Sequence, residues 1–175
     1  MAEFQLVHRA AIGAAPVPGS DAFAMKALPE GTAVQVLGKP DGEDLTGLLR
    51  ELAGAGTTAV RTAGPGQWFL VRDEPTSHAD LHALLVRLAP HAFGVDQSHG
   101  RVRIEVSGSA ATRVLAKGTA IDFESMATGQ SAMTLIGHIS VHMTRTAPDR
   151  FELMVLRGFA ESLWEDLVHM GAEFH

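Results

Sequence analysis

The 175 residues carry 14 Lys and Arg against 20 Asp and Glu, a net charge of −6, with 46% hydrophobic residues and no cysteine. This length suits one sizeable domain or two small fused ones, and it buries about 70% of the unfolded surface, so folding needs neither a disulfide nor a metal. The acidic balance argues against nucleic acid, whose phosphates need clustered Lys and Arg; the lack of Cys removes disulfides, thiolate metal sites, iron–sulfur ligation and a thiol nucleophile.

The first residues, MAEFQLVHRA, lack a basic segment followed by an apolar stretch, and no apolar run reaches transmembrane length. The expectation is a cytoplasmic protein with no membrane contact. Lys occurs only at positions 26, 39 and 117 beside many Arg, Ala and Gly, a bias that points to a GC-rich bacterial genome. Residues 1–30 read as an N-terminal arm, with a breaker-rich loop over Ala14–Ser20. TAVQVLG (Thr32–Gly38) alternates as a strand does, with Val34 and Val36 on one face. A helix follows over Asp44–Leu52, with Leu45, Leu48, Leu49 and Leu52 at helical spacing; Gly54 and Gly56 end it. Strands are predicted at Ala59–Thr62 and Gln67–Arg72 around the turn Gly64-Pro65-Gly66. Ser77 then caps a helix with Leu81, Leu84, Leu85 and Leu88 inward, and Pro90 stops it.

The second half repeats that order. Arg101–Val106 is a strand with Val102, Ile104 and Val106 on one face and Arg101, Arg103 and Glu105 on the other, outer one. Ser109–Ala116 reads as a helix, Leu135–Arg145 and Arg150–Leu156 as strands, and Phe159–Met170 as a helix with Leu163, Trp164, Leu167 and Met170 inward. VQVLG before the first helix matches IEVSG, and GPGQWFLV matches APDRFELMV. Both halves therefore read β-α-β-β-α, an internal repeat of two split β-α-β units with antiparallel sheets, an α+β architecture. The units are expected at 31–92 and 93–175, fused in one compact domain. A segment of about Asp122–Ala132, containing Gly129 and few apolar anchors, reads as a surface loop inserted in the second unit.

Candidate chemistry is sparse. His138 and His142 stand four apart in a strand-like run, and four strand residues span about 13 Å, too far for one zinc held at about 2 Å by each. They read as two histidines on the polar face of a half-buried sheet, open to a partner. His78 and His82 share a helix face, but no Glu completes an HExxH pattern. Asp96-Gln97-Ser98-His99 places Ser beside His, where adjacent side chains seldom meet, so it reads as a strand start rather than a nucleophile and base. No GxGxxG is present. Trp68 and Trp164, near the end of each repeat, read as core residues or as buried interface anchors. The partner-interface candidates are Trp68, His138, His142 and Trp164; no catalytic, cofactor-binding or metal-binding residue is expected.

The run DQSHGRVRIEVSGSAATRVLAKGTAIDF, the TLIGHISVHM strand and LRGFAESLWEDL, in which Phe159-Ala160-Glu161-Ser162 opens the last helix, resemble the gamma subunit of heterotetrameric sarcosine oxidase. The resemblance covers Val95–Phe174 and extends more loosely over Gly31–Leu88 through GQWFLV. The same order is more distantly similar to the folate-binding domain of aminomethyltransferases. The resemblance implies two fused ferredoxin-like units and a complex with alpha, beta and delta subunits that oxidatively demethylates sarcosine to glycine. It implies a structural, non-catalytic chain bracing alpha, with no cofactor on this chain and FAD, FMN, NAD, tetrahydrofolate and zinc on the others. Two alternatives stay open: a free-standing folate-binding protein, and a homodimeric ferredoxin-like small-molecule sensor.

Overall fold

The computed structural model describes residues 7, 9–13, 19–40, 42–54 and 56–174; residues 14–18 of the loop expected at 14–20 lie outside them. The chain enters through a short strand, β1 (Ala24–Ala27), then runs β2 (Thr32–Gly38), α1 (Thr46–Ala53), β3 (Ala59–Gly64), β4 (Gln67–Arg72), α2 (His78–Leu88) and β5 (Ala92–Asp96). It continues through β6 (Arg101–Ser107), α3 (Ala111–Leu115), β7 (Ser131–Ile136), β8 (Ile139–Ala147), β9 (Arg150–Leu156) and α4 (Ala160–Gly171). All strand pairs are antiparallel, in two sheets ordered β3-β4-β2-β5 and β1-β6-β9-β8-β7. The two orders correspond strand for strand, with β5 matched by β1, β2 by β6, β4 by β9 and β3 by β8; β7 is an added edge. Each unit is ferredoxin-like, and the repeat read from VQVLG and IEVSG is the pair of central strands β2 and β6.

The fourth strand comes from opposite directions in the two units. In the first it is β5, which follows α2 and pairs with β2, so the first sheet continues past residue 92 to Asp96. In the second it is β1, from within the segment expected as an arm, which pairs with β6 from Ala24–Ser107 to Ala27–Ile104. Phe23, fully buried just before β1, plugs this strand into the second core.

Local chemistry explains most boundaries. Ser77 Oγ accepts the Asp80 N–H at 3.1 Å and caps α2; Asp44 Oδ1 accepts the Thr46 N–H at 3.0 Å and starts α1. The single strand expected over Leu135–Arg145 is instead a hairpin. Gly137, at φ 56°, and His138 turn between β7 and β8, a reversal that a residue with a Cβ adopts only at a cost. The insertion also differs from expectation: Phe123 and Met126 are buried in the second core, and the Arg145 guanidinium donates to both their carbonyl oxygens at 2.9 and 2.7 Å, so this loop is clamped.

The layers run helix, sheet, sheet, helix. Val34, Val36, Trp68 and Leu70 pack under α1 and α2; Ile104, Val141, Leu153 and Val155 pack under α3 and α4. The remaining faces of the two sheets meet each other.

Candidate functional site

Alternation in β2, β4, β6, β8 and β9 sends Ala33, Phe69, Val71, Arg101, Arg103, His142, Thr144, Glu152 and Met154 away from the helices. Between the sheets, Ala33, Phe69, Val71 and Met154 form a dry patch. Around it lies an ionic network. Arg61 of β3 grips both oxygens of Glu152, the second at 2.8 Å. Arg103 reaches Glu152 Oε1 at 3.5 Å, Asp73 Oδ1 at 2.6 Å and the Pro29 carbonyl at 3.2 Å. The Arg61 and Glu152 side chains are only 10% and 7% exposed. The face of β6 that carries Arg101 and Arg103 is therefore an interior one; it looks like a solvent face locally because its counter-charges arrive from distant strands.

His142 is wholly buried in this layer. Its Nε2–H donates to the Thr62 carbonyl at 3.0 Å, which leaves Nδ1 as a buried lone pair with no hydrogen-bond partner. Its ring meets Phe69 edge-on at 5.2 Å, and the Arg101 guanidinium covers Phe69 at 5.2 Å. Burial first, and then the Arg61 charge, push the His142 pKa below 6.5, against the opposing pull of the Thr62 carbonyl. Burial likewise lowers the pKa of Arg101.

The four residues expected at a partner interface are not brought together. Trp68 is 5% exposed in the first core and its indole N–H donates to Thr46 Oγ1 at 3.3 Å; Trp164 is 4% exposed in the second core. Both tryptophans and His142 are thus interior residues of this chain, and an interface anchor must reach the surface. His138 alone is exposed, on the β7–β8 turn rather than on a strand beside His142. The Asp96–His99 run forms a turn: Asp96 Oδ1 accepts the Ser98 N–H at 2.9 Å and Ser98 Oγ accepts the Ala33 N–H at 3.1 Å. His78 and His82 are exposed on α2, and no group of three or more His, Asp or Glu among the described residues is placed to hold a metal ion.

Two apolar strips do reach the surface. Phe93 and Val95 are 63% and 42% exposed on β5; Met133 and Leu135 are 44% and 56% exposed on β7. Both strands are sheet edges. Phe93 lies opposite Leu37 and Val95 opposite Gln35, while Met133 lies opposite His142 and Leu135 opposite Ser140, so each strip continues the inter-sheet face beyond its cover. The β1 edge, by contrast, is four residues long and carries Lys26, which pairs with Glu105 at 3.1 Å, a protected edge. Sequence reasoning missed β5 because Gly94 breaks its apolar run. A Cβ there would sit 2.4 Å from Leu85 Cδ2 and 3.2 Å from Leu88 Cδ1, so the glycine is what lets α2 close on the strand.

The family model for the sarcosine oxidase gamma subunit matches residues 32–173, from the start of β2 to beyond α4. The chain belongs to that family. Its fold is that of a chain in heterotetrameric sarcosine oxidase from Corynebacterium sp. U-96, at 22% identity and a TM-score of 0.77 over 91% of this chain and 88% of that one. It is also similar to glycine cleavage system aminomethyltransferase T from Bartonella henselae, at 17% identity and a TM-score of 0.61 over 84% of this chain but 45% of that one. The regulatory subunit of aspartate kinase from Thermus thermophilus shares the fold at 15% identity and a TM-score of 0.53, over 85% of this chain and 97% of that one. No curated protein sequence matches the chain. Among the described residues, no helix of this family member is long and apolar enough to cross a membrane.

Proposed function

We propose that this chain is the gamma subunit of a sarcosine oxidase-type heterotetramer that oxidatively demethylates sarcosine to glycine, and that it braces the alpha subunit. In this reading the reacting groups and cofactors (FAD, FMN, NAD, tetrahydrofolate and zinc) lie on alpha, beta and delta. The observation that carries the reading is the family match across both ferredoxin-like units. The physical support is the placement of exposed apolar residues. Edge strands that show large apolar side chains are a liability in a lone chain and the natural seat of a permanent neighbour. The β5 strip of Phe93 and Val95 and the β7 strip of Met133 and Leu135 meet that description, and His138 on the adjoining turn is available to the same partner.

The test is purification of a tagged copy from its own host. Three further subunits in near-stoichiometric yield, with flavin absorbance and sarcosine-dependent turnover, are expected. A clean monomer or a homodimer free of other chains would remove the reading, as would full activity of alpha, beta and delta prepared without this chain.

A further inference from the structure

Away from both apolar strips, α1 and α2 part over the first sheet and leave an open cleft of about 240 Å³. Its volume falls below the range of about 300–1,000 Å³ that holds drug-sized ligands and nucleotides, so it has room only for a small metabolite. Leu52 and Leu84 form the half-buried apolar walls, above the closed core residues Val34 and Leu70. The rim is charged. Arg72 Nε is buried without a hydrogen-bond acceptor; its nearest carboxylate, Glu74 Oε2, is 3.6 Å away and already accepts from Thr57 Oγ1 at 3.0 Å. Arg87, in the last turn of α2, forms no ion pair among the described residues. Asp80, in the first turn of α2, uses Oδ2 to accept from Ser77 at 2.7 Å, and its other oxygen accepts no hydrogen bond among the described residues.

A cleft with a guanidinium that forms no ion pair among the described residues, a second with an unbonded Nε, a carboxylate acceptor and aliphatic walls suits a ligand with the same three parts reversed. We infer that the cleft between α1 and α2 binds a small aliphatic α-amino acid. Its carboxylate is taken by Arg87 and Arg72, its ammonium by Asp80, and its side chain by Leu52 and Leu84. A simple carboxylate meets the Asp80 charge with nothing to offset it, and a simple amine gains nothing from Arg87 or Arg72, so each half-ligand binds worse than the zwitterion.

Saturation-transfer NMR on the full-length chain tests this with three probes of one size: norvaline, valerate and butylamine. Saturable transfer to norvaline is expected, with the other two at least about tenfold weaker. Arg87→Gln should weaken norvaline about tenfold and leave butylamine unchanged, whereas Asp80→Asn should weaken norvaline and leave valerate unchanged or stronger. Both residues are exposed, so these variants retain the fold. Ala83→Phe fills the cleft from its exposed rim and should abolish transfer to all three probes. No transfer to norvaline, transfer that survives Ala83→Phe, or valerate bound as tightly as norvaline would each overturn the assignment.

Discussion

Among the described residues, the second unit buries 21 apolar residues between its sheet and α3 and α4, from Phe23 to Leu167, whereas the first buries 8 between its sheet and α1 and α2, from Val34 to Ala92. The strand order is shared, yet the leucines of α1 and α2 are largely half-buried, with Leu48, Leu52, Leu81, Leu84 and Leu85 packed only at the margin of the first core. A small core stabilises its elements weakly. The first unit therefore depends on its neighbour through Phe69, Val71, Arg61 and the Glu152 network, while the second can stand as the rigid half. The same thin packing leaves the first unit the cleft between α1 and α2 and the bare β5 edge.

That asymmetry can be broken from either side. The largest effect belongs to the second core. Phe151→Ala, at a fully buried site, should cost about 4 kcal/mol and unfold both units in one transition followed by denaturant. Leu49→Ala in the first core should cost about 3 kcal/mol but open the first unit ahead of the second. Native-state hydrogen exchange reads the difference as lost protection in β2 and β4 with β6 and β9 still protected. Simultaneous loss in all four strands would show that the halves are one cooperative body.

Next comes the joint. Glu152→Ala strands Arg61 in a buried layer, while Arg103 keeps Asp73 and the Pro29 carbonyl, and removing one member of such a group costs about 3 kcal/mol. It should also separate the thermal transitions of the two units. A double-mutant cycle with Arg61→Ala should recover a large share of the loss, and strict additivity would show that the pair is not coupled.

A smaller, graded effect comes from His142. Its folded pKa lies below 6.5, so beneath pH 6.5 the unfolded chain binds the proton that the folded chain refuses, and stability rises with pH there. The contribution is complete above pH 6.5 and is lost as the pH falls toward the depressed folded value, with a slope of up to about 1.4 kcal/mol per pH unit. His142→Phe should flatten that slope in urea titrations between pH 4.5 and 7, and an unchanged slope would assign the acid sensitivity elsewhere. Smallest in stability are Phe93→Lys and Val95→Lys on β5, which should alter unfolding by less than about 0.5 kcal/mol. Each should nonetheless cut recovery of the partner subunits in the pull-down; equal recovery would release β5 from the docking role.

The amino-acid order by itself determined the elements whose signals are local. β2 and β9 run over Thr32–Gly38 and Arg150–Leu156, where alternation places them, and Ser77 starts α2 as its cap chemistry requires. The twofold repeat and the family resemblance were legible for the same reason, because patterns within single elements, such as VQVLG and IEVSG, carry them. Tertiary structure decided which polar face is dry. Arg103 and His142 read as surface residues until Arg61 and Glu152, 91 positions apart, close over them, and no periodicity encodes a partner at that separation. It also decided the fourth strands: β1 is too short and β5 too interrupted by Gly94 to announce themselves, and each exists because an open sheet edge and a packed helix supply the hydrogen bonds and burial that the segment alone lacks.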